Sequence, residues 1–138
     1  MTTVIVDTGP LVAYVQANEQ HSRWVRETFD RLEPPFHTCE PVLTEACCLI
    51  ERGGGEPDDL LDLVGRGLIV IEFTVVEELP RLRAMMHRYR NLPMSLADAC
   101  LVRLTERAPA CQLVTLDGHF RIYRRHDRRA IPVLMPPA

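Results

Sequence analysis

The sequence predicts an α/β fold, a three-layer α/β/α sandwich around a mostly parallel sheet of four or five strands. Three observations predict it. Short apolar, β-branched runs at Val4-Ile5-Val6, Leu68–Ile71 and Leu113-Val114-Thr115 alternate with stretches of helical periodicity. Strands that alternate with helices imply a parallel sheet covered on both faces. The length of 138 residues suits one core, and no repeat or linker divides it, so residues 1–138 are expected to form one domain.

Val4–Val6 reads as a buried strand that runs into the turn Asp7-Thr8-Gly9-Pro10, with a helix expected over Leu11–Ala17. Trp24, Val25, Phe29 and Leu32 recur at spacings of three and four, which predicts an amphipathic helix over His21–Leu32, stopped by Glu33-Pro34-Pro35. Phe36–Cys39 suits a short strand. Pro41 is placed for a first helical turn, and Val42–Arg52 continues with helical spacing until Gly53-Gly54-Gly55. A further helix is expected over Pro57–Val64, and Leu68–Ile71 is the next strand. Glu77–Tyr89 and Ser95–Glu106 read as helices, the second stopped by Ala108-Pro109. Leu113–Thr115 is a strand closing on Leu116-Asp117-Gly118, Phe120–Tyr123 a turn or short helix, and Ile131–Val133 a last strand.

Composition narrows the function classes. The apolar share of 46 % and charged share of 25 % are those of a globular chain. No apolar run approaches the roughly 20 residues of a bilayer span, and the first residues lack a signal-peptide pattern, so the expected location is the cytoplasm with no membrane partner. Five cysteines, an odd number without Cys-x-x-Cys spacing, argue against a zinc site or a disulfide framework. Cys47, Cys48 and Cys100 fall in apolar helical patterns, where a reduced cysteine acts as a small hydrophobe. Trp24, Met85 and Met86 fit either an interface or the core. The net charge is −3, yet every basic residue is arginine, crowded into Arg81–Arg90 and Arg121–Arg129. Such a pattern fits phosphate contacts or genomic composition.

Four carboxylates carry the functional reading. Asp7 and Asp117 stand at or just past strand ends, and in parallel sheets ligands bind at the carboxyl ends of strands. Each also suits a local job, Asp7 as a helix N-cap and Asp117-Gly118 as a turn. Glu45 sits on the flank of an apolar stripe, with Val42 at i−3 and Leu49 at i+4, where a snorkelling surface glutamate would also sit. Asp98 has Leu101 and Val102 above it, and Ser95-Leu96-Ala97-Asp98 also matches a capping box. Were all four to meet in one pocket, with no lysine in the chain to neutralise them, a divalent cation is the natural compensation. Mg²⁺, or Mn²⁺ in its place, prefers carboxylate oxygens and water, and can activate water for phosphodiester hydrolysis.

These residues occur in an order that resembles the PIN-domain ribonucleases, in particular the VapC-like toxins of toxin–antitoxin pairs. Val4-Ile5-Val6-Asp7-Thr8-Gly9-Pro10-Leu11-Val12-Ala13 is similar to the family's first motif, and Thr44-Glu45 to its helix-borne glutamate. Leu96-Ala97-Asp98-Ala99 is similar to its Asp-Ala helix motif, and Leu113-Val114-Thr115-Leu116-Asp117-Gly118-His119-Phe120 to its strand-end motif. The resemblance implies Asp7, Asp98 and Asp117 as direct or water-mediated metal ligands. It implies Glu45 as a residue that holds a metal-bound water or helps position the attacking one, and Thr8 and Thr115 as hydroxyls supporting the aspartates. It also implies an RNA substrate, a cognate antitoxin that covers the acidic pocket, and a homodimer. Arg88, Arg90, Arg121, Arg124 and Arg125 are candidates to hold the RNA backbone.

Three rivals stand beside this reading. A phosphatase acting through an aspartyl intermediate would want Asp-x-Asp after the first strand, but Gly9 stands at the second acidic position and the expected lysine is missing. A receiver domain fails on the same missing lysine. A catalytically silent PIN-like scaffold or RNA-binding module would normally have lost some of the four acids, all of which are present.

Overall fold

The computed structural model describes residues 1–137; Ala138 lies outside the described residues. Strand β1 (Thr3–Val6) is central to the sheet, as its composition requires: Val4, Ile5 and Val6 are all buried although successive side chains point to opposite faces. After it come α1 (Thr8–Val15), α2 (Ser22–Arg31), β2 (Phe36–His37), α3 (Glu40–Arg52), α4 (Pro57–Gly65) and β3 (Ile69–Val70). A 3₁₀ turn at Val76–Glu78 then leads into α5 (Leu79–Arg88) and α6 (Leu96–Arg107). Strand β4 (Cys111–Val114) returns to the centre, and a second 3₁₀ turn (Gly118–Arg121) follows it. A two-stranded ribbon, β5 (Arg124–Arg125) with β6 (Arg129–Ala130), precedes β7 (Val133–Leu134).

The five-stranded sheet has the order β3-β2-β1-β4-β7, and every pairing in it is parallel. The chain builds outward from β1 through β2 to β3, then returns to place β4 on β1's other side. The strand order therefore reverses between β1 and β4, in register Val6 opposite Val114. A crevice opens at the carboxyl ends of strands at such a point. One group of helices, α1 to α4, packs together; α5 packs on α6, and α6 lies on β1 and β4. The fold is the three-layer α/β/α sandwich expected.

Several element bounds shift by one to three residues from the sequence reading, and two departures have local reasons. Helix α1 begins at Thr8, three residues early, because Asp7 accepts from Thr8 N–H as its N-cap. Pro10 is then harmless in the first turn, where a backbone N–H has no intrahelical partner. The β5–β6 ribbon was not foreseen. Its turn holds His126 and Asp127 at positive φ of 53° and 62°, a conformation that is costly without glycine. Anchors outside the ribbon hold it: His126 N–H donates to Glu106, the Asp127 carboxylate accepts from Arg81, and the Asp127 carbonyl accepts from Arg88.

Glu106 is the centre of that anchorage. Its side chain is 1 % exposed and takes Arg81 at 2.7 Å and Arg103 at 3.3 Å, while Arg103 also meets Glu78. Burial works to raise the Glu106 pKa, but these donors hold it below the usual carboxylate value. Of the residues considered for an interface, Met85 is fully buried, while Trp24 and Met86 are partly buried against the core. All five cysteines are free; Cys39, Cys100 and Cys111 are buried, and Cys48 is exposed rather than part of the core.

Candidate active site

Asp7 emerges from the end of β1 with 7 % of its surface exposed. Its N–H continues the ladder to Val114 carbonyl, which fixes its position beside β4. Both carboxylate oxygens are held: Oδ1 accepts from Thr8 N–H at 2.7 Å and Oδ2 from the Thr115 hydroxyl at 2.7 Å. The Thr115 Oγ1 in turn accepts from Asp117 N–H at 3.0 Å, so one hydroxyl ties the two strand-end aspartates together. Burial pushes Asp7 up to about 6; the bonds from Thr115 and Thr8 pull it down, and the charges of Asp98 and Asp117 add to the rise.

Asp98 arrives from the opposite side at the start of α6. The capping box is real: Ser95 Oγ accepts from Asp98 N–H at 3.0 Å, and Asp98 Oδ2 accepts from Ser95 N–H at 3.1 Å. The same carboxylate receives the Tyr123 hydroxyl at 3.4 Å. Desolvation raises the Asp98 pKa, bonds from Ser95 lower it, and Asp117 raises it again. Asp7, Asp98 and Asp117 line the same cleft, so three carboxylates of like charge face one another there, and the charge of Asp117 adds to the rise at Asp7 and Asp98.

Asp117 caps the 3₁₀ turn after β4, its Oδ1 accepting at 2.9 Å from both His119 N–H and His119 Nδ1. Glu45 is exposed on α3, and its Oε2 receives the Thr8 hydroxyl at 3.5 Å. Thr8 thus supports Asp7 through its backbone N–H, and its hydroxyl turns to Glu45 instead of an aspartate.

Asp7, Thr8, Glu45, Asp98 and Asp117 line one cleft of about 270 Å³, with Gly9, Leu49 and Leu116. Gly9 permits the closeness of α1 and the β4 exit, for a Cβ there would lie 3.2 Å from Leu116 Cδ1. No basic side chain is among the lining residues. Among the described residues no three acidic, His or Cys side chains close to direct metal-coordination geometry. A looser all-oxygen set suits an ion such as Mg²⁺, which keeps several of its waters and takes only one or two carboxylates directly.

The arginines separate. Arg88, Arg90 and Arg121 are exposed and Arg124 half-buried around the ribbon; Arg88 reaches the Asp127 carbonyl, Arg90 the His87 carbonyl and Arg124 the Arg121 carbonyl. Arg125 does not belong with them. It is 8 % exposed, and its guanidinium donates to the carbonyls of Thr105, Ala108 and Pro109 at the end of α6, so it anchors the ribbon instead of facing a ligand. Sequence reasoning missed Tyr123 and His119, which touch Asp98 and Asp117 from the far side; the only signal was their closeness in sequence to Asp117.

No helix among the described residues is long and apolar enough to cross a membrane. A PIN-domain family profile matches residues 4–125. Among solved structures, the chain is similar to a Mycobacterium tuberculosis protein, VapC20, described as a sarcin-ricin-loop-cleaving toxin. The two share 17 % identity with a TM-score of 0.76, covering 84 % of this chain and 91 % of that one, a likeness of fold. No curated protein matches by sequence. With the profile spanning nearly all of the chain and the acidic cleft lying at the strand reversal, this chain belongs to the PIN-domain family.

Proposed function

We propose that the protein is a Mg²⁺-dependent endoribonuclease and a toxin of the VapC type, working in the cytoplasm and restrained by a cognate antitoxin. The observation that carries the reading is the cleft itself: Asp7, Glu45, Asp98 and Asp117 line one hollow without a basic residue, and Asp7 lies there with its pKa pushed up to about 6. A structural role alone would favour an arginine partner, as Glu106 has.

Asp7, Asp98 and Asp117 would hold the ion, Mg²⁺ or Mn²⁺. When bound, it makes a neighbouring water more acidic and offsets charge on the leaving oxygen of the phosphodiester. The chain's own residues do the rest. Thr115 keeps the Asp7 carboxylate turned to the cleft, and the Ser95 cap fixes Asp98 on α6. Glu45, exposed at the mouth and contacted by Thr8, orients the attacking water. Arg88, Arg90, Arg121 and Arg124 supply cations for the RNA backbone outside the acidic hollow. A second copy completing a homodimer accords with the same reading.

The test uses purified protein and RNA. Cleavage should require Mg²⁺ or Mn²⁺, stop with chelator, and vanish in Asp98→Asn and Asp117→Asn while circular dichroism stays unchanged. Undiminished cleavage by both variants would remove the site from consideration. Expression should arrest growth, with relief by the product of an adjacent small gene; harmless expression in several hosts would remove the toxin assignment.

A further inference from the structure

Asp117 is less sheltered than Asp7: its side chain is 41 % exposed, where Asp7 is buried and held on both oxygens. An exposed carboxylate rotates among several staggered and flipped states, and that freedom is lost when it must ligate. His119 removes it in advance. Backbone N–H and ring Nδ1 of His119 both lie 2.9 Å from the same oxygen, Asp117 Oδ1. The pair forms a two-point clamp, with Nδ1 carrying the donated proton, and leaves Oδ2 without a protein hydrogen-bond partner among the described residues.

The imidazole is itself fixed. It stacks on the Tyr123 ring at 6.3 Å between centroids and 22° between planes. Tyr123 is 1 % exposed and packs edge-on against Phe120 and Tyr89, and its hydroxyl meets Asp98. One rigid aromatic group therefore touches two of the three aspartates.

We infer that His119 is a positioning residue: its ring holds Asp117 Oδ1 so that Oδ2 is presented to the cation, with Tyr123 as the wall that fixes the ring. This rests on the metal-dependent nuclease reading. Partners of this kind orient ligands and typically change metal affinity by 10- to 100-fold; an exposed clamp whose backbone half survives mutation belongs at the lower end.

Mn²⁺ binding by calorimetry or by its paramagnetic resonance signal, without RNA, reads the role directly. His119→Ala should weaken Mn²⁺ binding about 10-fold, with the metal-free unfolding midpoint little changed because half of the side chain is already in solvent. His119→Asn should restore binding to within about twofold of the wild type, since an Asn amide nitrogen occupies the place of Nδ1. Equal loss in both variants would trace the effect to stacking on Tyr123 and overturn the clamp. Unchanged affinity in His119→Ala, with Asp117→Asn impaired, would also overturn it and leave the nuclease reading intact. Absence of Mn²⁺ binding in the wild type, or binding that Asp7→Asn leaves unaltered, would end both.

Discussion

Asp7→Asn should stabilise the metal-free protein while abolishing RNA cleavage. Burial and neighbouring carboxylates lift Asp7 from the ordinary 3.8 to about 6. At about 1.36 kcal/mol per pH unit, that gap corresponds to about 3 kcal/mol of lost folding free energy at pH 7. The sign follows from proton binding. Folded Asp7 holds its proton more tightly than the unfolded chain does, so its favourable contribution is complete below pH 3.8 and is lost as pH rises through about 6. An asparagine carries no charge to bury. It can accept from Thr8 N–H and donate to the Thr115 hydroxyl, but it reverses one of the two bonds made to Asp7, at a cost of about 1 kcal/mol. The net gain is about 2 kcal/mol at pH 7, or on the order of 5–10 °C in melting temperature. The assay is urea or thermal unfolding of both proteins in chelator at pH 5 and pH 7. Roughly 1 kcal/mol of the difference should develop between those two pH values. Adding Mn²⁺ should then stabilise the wild type and leave the variant unmoved. A variant less stable than the wild type at pH 7, or a difference that does not grow from pH 5 to pH 7, would refute the reasoning.

Other consequences are open to measurement. Glu106→Ala leaves Arg81 and Arg103 without their buried partner and frees the ribbon turn; it should cost about 2–4 kcal/mol by urea unfolding. Because Glu106 titrates below its usual value, its stabilisation should be present at neutral pH and fade as pH falls through that lowered pKa, and the Ala variant should lack this loss. Gly53→Ala would place a Cβ 2.6 Å from Gln16 Nε2, which is buried and donates to Ile50 carbonyl. A loss of about 1–2 kcal/mol is expected, reduced when Gln16→Ala is added. Arg121→Ala and Arg124→Ala should weaken RNA binding in filter or anisotropy titrations, each flattening the salt dependence by about 0.7 in log–log slope. Arg125→Ala should instead lower the unfolding midpoint, because it strips donors from the α6 carbonyls.

The site was legible in the sequence because its two strand-end aspartates follow apolar runs, and adjacency of parallel β1 and β4 brings them to one edge. The local readings of Asp7, Asp98 and Asp117 hold in the structure: each takes part in capping a helix or turn, and the cap and the cleft use the same carboxylate. Capping orients a side chain at a helix start, where it can serve a site as well. Other features carried no such signal. The β5–β6 ribbon is two residues per strand and arginine-rich, with neither alternation nor glycine at its turn; its conformation is imposed by Glu106 and Arg81 from elsewhere in the chain. Arg125 sits in the same run as solvent-facing arginines, and only the α6 carbonyls around it show that it is buried. The partnership of His119 with Asp117 spans only two residues, yet rotamer and ring stacking are not written in spacing.

The central claim, that four carboxylates of distant origin form one divalent-cation site, is tested most directly by anomalous diffraction from crystals soaked in Mn²⁺. The predicted result is a peak in the cleft bounded by Asp7, Asp98 and Asp117, absent from Asp7→Asn crystals. A cleft free of anomalous density at millimolar Mn²⁺, or a peak that survives the substitution, would contradict it.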